Sequence, residues 1–260
     1  MLPGLPPPPI IHPPVPRRVH VSSLGRTERI QLDRAQAHHV RDVLRMRTGD
    51  ELELFDDAGH VAAATIEQCD ASAVVARIHR IEQPPGAQTA LIVASAVPKG
   101  DRADWMIEKL SELGVGRFVP LAAARSVVRP GGQKKVDRWR RIATEAARQS
   151  RRPGVMQIDP LISVDEFVPT LPPPAVYLST EPHATPLLRL SSAIVACSSV
   201  AVLIGPEGGW SHEEIARFAR FGLTGAKLTE TILRVETAAV AAAAIIAAIL
   251  AAKPSRNVTP

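Results

Sequence analysis

The spacing of apolar positions changes once along this chain, and the change divides it in two. Over residues 17–83 the apolar residues come in short runs, in places alternating with polar ones, as in Glu51-Leu52-Glu53-Leu54-Phe55. Period-two alternation places every second side chain on one face of a half-buried strand. The pattern predicts strands over 19–21, 28–32, 51–55, 61–67 and 73–81, with turns at Gly49-Asp50 and Asp56-Asp57-Ala58-Gly59. The second turn joins its strands as a hairpin. Residues 33–44 predict a single helix with Asp33 as its N-cap. Short strands about a dozen residues apart suggest a small barrel.

Pro84-Pro85-Gly86 marks the boundary. Beyond it, strand-length apolar runs at 90–96, 116–121, 155–161, 175–179, 200–204 and 226–229 alternate with helical stretches. The helices are expected over 102–113 (closed by Gly114), 134–150, 211–221 and the alanine-rich end, with a short one between 161 and 175. Such alternation argues for an α/β domain on a parallel sheet. The apolar run 238–252 is mostly alanine and shorter than the about 20 residues of a bilayer span. A buried helix ended by Lys253-Pro254 is therefore expected.

Composition narrows this picture. The 260 residues suffice for one large domain or two modest ones. Aromatic residues are scarce, so the core is expected to be aliphatic and alanine-rich. The formal net charge is +5 and is carried mainly by arginine, whose planar fork matches phosphate better than an ammonium does. A polyanionic partner fits that balance; a GC-rich coding bias toward Arg, Ala and Pro would also produce it. Cys69 and Cys197 lie far apart without the spacing of a zinc site, and read as buried free thiols in a reducing cytoplasm. Residues 1–16 are proline-rich, which argues against an ordinary signal peptide and for a disordered lead-in.

Two strings near the C-terminus carry the candidate chemistry. Gly205-Pro206-Glu207-Gly208-Gly209 follows the apolar run 200–204 and precedes Ser211-x-x-Glu214, a capping box. This is a strand–loop–helix unit in which glycine lets the backbone approach a small ligand. Alone it denotes either a generic cofactor site or an ordinary turn. The phosphate loop and the Gly-x-Gly-x-x-Gly fingerprint are both absent. The second string is Ile232-Leu233-Arg234-Val235-Glu236-Thr237-Ala238. Further strings are His39-Val40-Arg41-Asp42-Val43-Leu44-Arg45, Pro98-Lys99-Gly100-Asp101, Glu112-Leu113-Gly114-Val115, Arg125-Ser126-Val127-Val128, and Glu145-Ala146-Ala147-Arg148-Gln149-Ser150.

Together and in order, these strings resemble the signature of SPOUT methyltransferases of the RsmE type, over residues 17–252. Those enzymes use S-adenosylmethionine (SAM) to methylate N3 of a uridine in small-subunit (16S) ribosomal RNA. The resemblance implies a PUA-like RNA-binding β-barrel over 17–83. It further implies a trefoil-knotted α/β parallel-sheet domain over 84–255, a homodimer, and no metal. Small-subunit rRNA or the assembled subunit is the implied partner, in the cytoplasm and away from membranes. A SPOUT enzyme of another specificity, or a non-catalytic RNA-binding relative, are the alternatives. The family commonly has glycine at the position of Thr229 and often arginine near Thr231, and this chain departs from both.

Matched residue by residue, the implied cofactor loops are Leu178, Ser179, Thr180 and Glu181; Ile204, Gly205, Pro206, Glu207, Gly208 and Gly209; and Leu228, Ile232, Leu233, Arg234, Thr237 and Ala238. Adenine is expected among Leu203, Leu228, Ile232 and Leu233. Arg234 and Glu236 are the candidate catalytic pair. A cation near the uracil oxygens would stabilise the charge developing as N3 loses its proton. The carboxylate would act as base or orient the arginine, or else serve only as an N-cap or salt-bridge partner. The RNA candidates are Arg41 and Arg45 on the barrel, Lys99, Arg125 and Arg129 in loops, and Arg148 and Arg151 on a helix and its end. A solvated face paired through Glu145 would explain the helix arginines equally well.

Overall fold

The structure, a computed structural model, describes residues 16–25, 27–82, 90–127 and 132–252. The lead-in up to residue 15, the Pro84-Pro85-Gly86 boundary and Arg129 lie outside the described residues. The chain divides into two units, the first ending at Glu82, with residues 57–60 of a hairpin tip grouped with the second.

In the first unit β1 (Arg17–His20), β2 (Arg29–Gln31), β3 (Glu51–Phe55), β4 (Val61–Cys69) and β5 (Val74–Glu82) form one sheet in the order β1-β3-β4-β5-β2. β1 runs parallel to β3 and the other pairs are antiparallel. Leu52, Leu54, Ala62, Ala64, Ile66, Val74, Ala76 and Ile78 are buried at alternate positions and build the core of this unit. The Asp70 carboxylate accepts from the Ser72 hydroxyl, the Gln68 amide and the backbone of Ser72 and Ala73. These bonds close the β4–β5 turn and hold the Asp70 carboxyl far below its usual range.

The helix expected over 33–44 is not one regular α-helix. α1 (Arg34–His38) starts on a capping box between Asp33 and Gln36 and then widens into a π-helical turn, His39–Val43. The Leu44 N–H donates to the His39 carbonyl five residues back. The wider turn coincides with complete burial of Val40, and the run stops at Arg45, whose φ is +55°.

In the second unit β6 (Ala90–Ser95), β7 (Arg117–Ala122), β8 (Gln157–Ile158), β9 (Ile162–Ser163), β10 (Ala175–Leu178), β11 (Thr185–Pro186), β12 (Ser199–Ile204) and β13 (Thr224–Lys227) form a parallel sheet. Its order is β11-β13-β10-β12-β6-β7-β8, with β9 also on β7. The helices are α2 (Asp101–Glu112), α3 (Gln133–Ser150), α4 (Val164–Phe167), α5 (Ser191–Ala196), α6 (His212–Arg220) and α7 (Val235–Ala251). The central strands are apolar throughout because both faces are covered. Val200, Val202 and Ile204 join one core with residues of α2, α3, α5 and α7. Ala201 and Leu203 join another with residues of α4 and α6. Among the described residues no helix is long and apolar enough to cross a membrane.

Several boundaries differ from expectation. The last strand is Thr224–Lys227, not 226–229, and the strand expected over 155–161 shrinks to Gln157–Ile158. After Lys227 the chain turns: the Thr229 hydroxyl donates to the Thr231 carbonyl at 2.7 Å, and Lys227 pairs with Glu230 at 2.8 Å. α7 begins at Val235, so Glu236 sits in its first turn and not at its N-cap. The segment from Thr185 to Ala196, with β11 and α5, was not foreseen; its elements are too short to show a period. The two cysteines are half-buried, not buried, and form no disulfide.

One topological feature positions the site. β13 lies between β10 and β11, with Ala226 paired to Leu178 on one side and Thr185 on the other. Residues 179–184 therefore bridge the C-terminal end of β13, from which the chain continues into 228–234 and α7.

Trp139 anchors α3. It is fully buried, meets Phe118 edge-on at 6.0 Å and donates from Nε1 to Asp104 at 3.0 Å. Trp139→Ala is expected to lower stability by about 3–5 kcal/mol, read from the denaturant midpoint; a loss under 1 kcal/mol would contradict this packing.

Candidate cofactor and RNA site

Ligands of open parallel sheets bind beyond the carboxyl ends of the strands, where loops from neighbouring strands meet. Here the loops after β10, β12 and β13 converge on a cavity of about 610 Å³. That volume lies within the range of about 300–1,000 Å³ typical of small-molecule sites.

The first loop is folded by its own bonds. The Ser179 N–H donates to the Ala226 carbonyl at 2.9 Å, and the Ser179 hydroxyl accepts from the Glu181 N–H at 3.1 Å. The second loop turns through Gly209, whose φ of +69° suits glycine and whose N–H donates to the Pro206 carbonyl. Gly205 is required for space. A Cβ there would stand 2.9 Å from Trp210 Cε2. The third loop needs no glycine at Thr229, because its φ is not positive. The departure from the family pattern is therefore conformationally tolerated.

Trp210 is the wall residue that the sequence did not single out. It is 9% exposed, packs edge-on against Phe218 with ring centroids 4.9 Å apart, and donates from Nε1 to the Leu178 carbonyl at 2.9 Å. It thus ties the second loop to the first. In a chain with three tryptophans, one directly after a glycine loop was the available signal. Trp210→Phe keeps an aromatic side chain but loses the fused pyrrole ring and its N–H, leaving the carbonyl without that donor, and should cost at least about 1–3 kcal/mol by thermal or chemical melting. Unchanged stability would show that the bond does not hold the loops.

α6 draws a fourth segment to the site. Ser211 and Glu214 form its capping box, and the same Glu214 carboxylate accepts from the Ala124 N–H at 2.9 Å. Arg125 then donates from Nη1 to the Gly208 carbonyl at 2.9 Å. Arg125 is exposed and lines the cavity, so it braces the glycine loop while keeping a face to solvent.

Of the implied cofactor residues, Leu178, Ser179, Thr180, Glu181, Ile204, Gly205, Pro206, Glu207, Gly208, Gly209, Leu228, Ile232, Leu233, Arg234 and Ala238 line this cavity. Leu203 does not line it: strand alternation turns it into the core, fully buried. Thr237 is exposed and outside the lining. Arg234 is the N-cap of α7, exposed, and makes no side-chain capping bond. Glu236 pairs with Arg102 of α2 at 3.3 Å, not with Arg234. It is 6% exposed, and its second carboxylate oxygen is buried without a partner.

The basic candidates differ in their engagement. Arg41 donates to the Asp42 carboxylate and the Asp70 carbonyl within the first unit. Arg45 and Lys99 are exposed. Arg148 is paired with Glu145 on the same helix. Arg151 is an exposed left-handed residue ending α3. Its neighbour Arg152 is structural: it donates to the Ser111 and Val115 carbonyls at 2.9 and 2.8 Å, and burial pushes its pKa down to about 10.

Residues 85–247 match the model of an RNA methyltransferase domain, and residues 32–78 that of an RNA methyltransferase PUA domain. The chain is 31% identical over 218 residues to Ribosomal RNA small subunit methyltransferase E of Mycobacterium bovis, covering 81% of this chain and 83% of that protein. It is 32% identical to the Bacillus subtilis protein of the same name, covering 78% and 83%. The crystal structure of Ribosomal RNA small subunit methyltransferase E from Neisseria gonorrhoeae bound to S-adenosyl methionine superposes with a TM-score of 0.79 at 26% identity, covering 90% of this chain and 98% of that one.

Proposed function

From the premise that this chain belongs to the RNA methyltransferase family of small-subunit methyltransferase E, with a SPOUT domain behind a PUA-like barrel, we propose that it uses SAM to methylate N3 of one uridine in small-subunit rRNA. The observation that carries this reading is the three-loop cavity beyond β10, β12 and β13, held open by Gly205 against Trp210.

The residues present fit SAM. Leu228, Ile232, Leu233 and Ile204 offer an apolar wall for adenine, the glycine loop brings its backbone to the cavity wall, and Glu181 and Glu207 offer carboxylates to a cationic ligand. Bound there, SAM supplies an electrophilic methyl group on a sulfonium sulfur that departs as a neutral thioether. Transfer to uracil then asks the protein for alignment and for stabilisation of negative charge on the base. Arg234, exposed at the cavity and without an ion pair among the described residues, is one cation we assign to that charge, acting from the cofactor side. Glu236 acts as an orienting carboxylate in this reading, since it already holds an arginine.

Arg41, Arg45, Lys99, Arg125, Arg148 and Arg151 are proposed RNA contacts, with Arg45, Lys99, Arg125 and Arg151 supported by their exposure. Residues 17–83 would grip RNA and 84–255 would carry the reaction. We also take the chain to be knotted at the bridge over β13 and to act as a cytoplasmic homodimer, the alanines of α7 allowing close approach of a second copy. The test is transfer of labelled methyl from SAM. Label is expected in rRNA of unmethylated small subunits and not in large subunits; label in neither, or only in the large subunit, would refute the assignment.

A further inference from the structure

A second cavity, of about 230 Å³, adjoins the cofactor cavity and shares Pro206 and Glu207 with it. It falls below the roughly 300 Å³ where cofactor-sized sites begin, so it suits a smaller group lying against the cofactor. Its other walls include Lys99, Arg102, Ser126 and Val127. Two cations thus face one small cavity at the start of α2.

Their engagement is informative. Lys99 has no hydrogen bond or ion pair among the described residues. A guanidinium carries five N–H donors, and Arg102 uses one of them, on Glu236 at 3.3 Å, with no other acceptor among the described residues. The Arg102 side chain remains 40% exposed while that of Glu236 is 8% exposed. A carboxylate buried to that degree, with one oxygen lacking any partner, is costly unless it holds a cation in place. Glu236 therefore fixes one edge of Arg102 and leaves the remaining donors uncommitted beside the cavity.

Resting on the methyltransferase reading above, we propose that this cavity seats the target pyrimidine, with Arg102 and Lys99 donating to its ring oxygens and Glu236 as the positioning residue of Arg102. Uracil presents two carbonyl oxygens flanking N3–H, and both gain negative charge as that proton passes to water. Cationic donors favour the ionised imide over the neutral one. Cytosine, which has an amino group in place of one oxygen and no imide proton, gains nothing comparable. The cavity thereby selects the base as well as activating it.

The test uses the full chain with 5-fluorouridine monophosphate, whose fluorine resonance reports ionisation at N3 without any methyl transfer. On the wild-type protein the N3 midpoint is expected to fall by about one pH unit, a tenfold shift in the ionisation constant. Arg102→Met should abolish the shift and Arg102→Lys should restore part of it. Glu236→Gln should weaken it while leaving SAM affinity unchanged. In turnover, Arg102→Met should lower kcat by about 10²–10³-fold, with a residual rate that rises with pH as the base ionises unaided. A nucleotide that titrates alike with wild type and Arg102→Met, or one that does not bind, overturns the proposal. Loss of SAM binding by the wild-type chain would instead overturn the cofactor reading, and calorimetry separates the two failures.

Discussion

Gly205→Ala is expected to weaken SAM binding by about tenfold to a hundredfold. The added methyl carbon would lie 2.9 Å from Trp210 Cε2 and 3.1 Å from Cδ2, closer than carbon atoms approach without movement. The indole cannot easily yield, because it packs edge-on against Phe218 and its N–H is bound to the Leu178 carbonyl. Overpacking at such a position costs about 1–3 kcal/mol, and each 1.4 kcal/mol is about tenfold in affinity. Strain falls on the two loops that Trp210 joins, so cofactor affinity and melting temperature should drop together. Calorimetric titration with SAM reads the first; wild-type affinity in Gly205→Ala would show that the loop does not form the cofactor wall.

Arg234→Ala should act differently, lowering methyl transfer by about 10²–10³-fold while SAM affinity changes little. The side chain makes no capping bond at the start of α7, so truncation leaves the helix terminus intact. Its loss removes an exposed cation from the cavity lining without removing a buried residue from the core. Single-turnover rates on small subunits, set beside calorimetric SAM affinities, separate these effects. Turnover equal to wild type would remove Arg234 from the chemistry and leave the Arg102 cavity as the source of charge stabilisation.

How far the sequence discloses such a site depends on the range of the interactions. Local periodicity was sufficient for β6, β12 and α3, whose apolar residues recur over whole elements. Capping chemistry located the starts of α1 and α6, because the N-cap Asp33 and the Ser211–Glu214 box are both local in sequence; the reciprocal bond from Gln36 emerged only in the structure. The π-helical turn at His39–Val43 was hidden, since five residues with one buried position are too few to display a period of their own. The motif strings of the three loops that line the cavity were legible because each loop is continuous. Arg102 was not: its partner Glu236 is 134 residues away, and only the fold brings α2 beside the first turn of α7. Leu203 shows the reverse error. Adjacent to cavity residue Ile204 in the chain, it faces the opposite side of the sheet because strand neighbours alternate.

The central claim is a single chemical product. Purified protein, SAM and small ribosomal subunits lacking the modification should be incubated together, the rRNA digested, and its nucleosides identified by mass spectrometry. The account predicts 3-methyluridine, appearing at one site and only when SAM is present. A methylated nucleoside of another kind, or none from a protein that binds SAM, would contradict it.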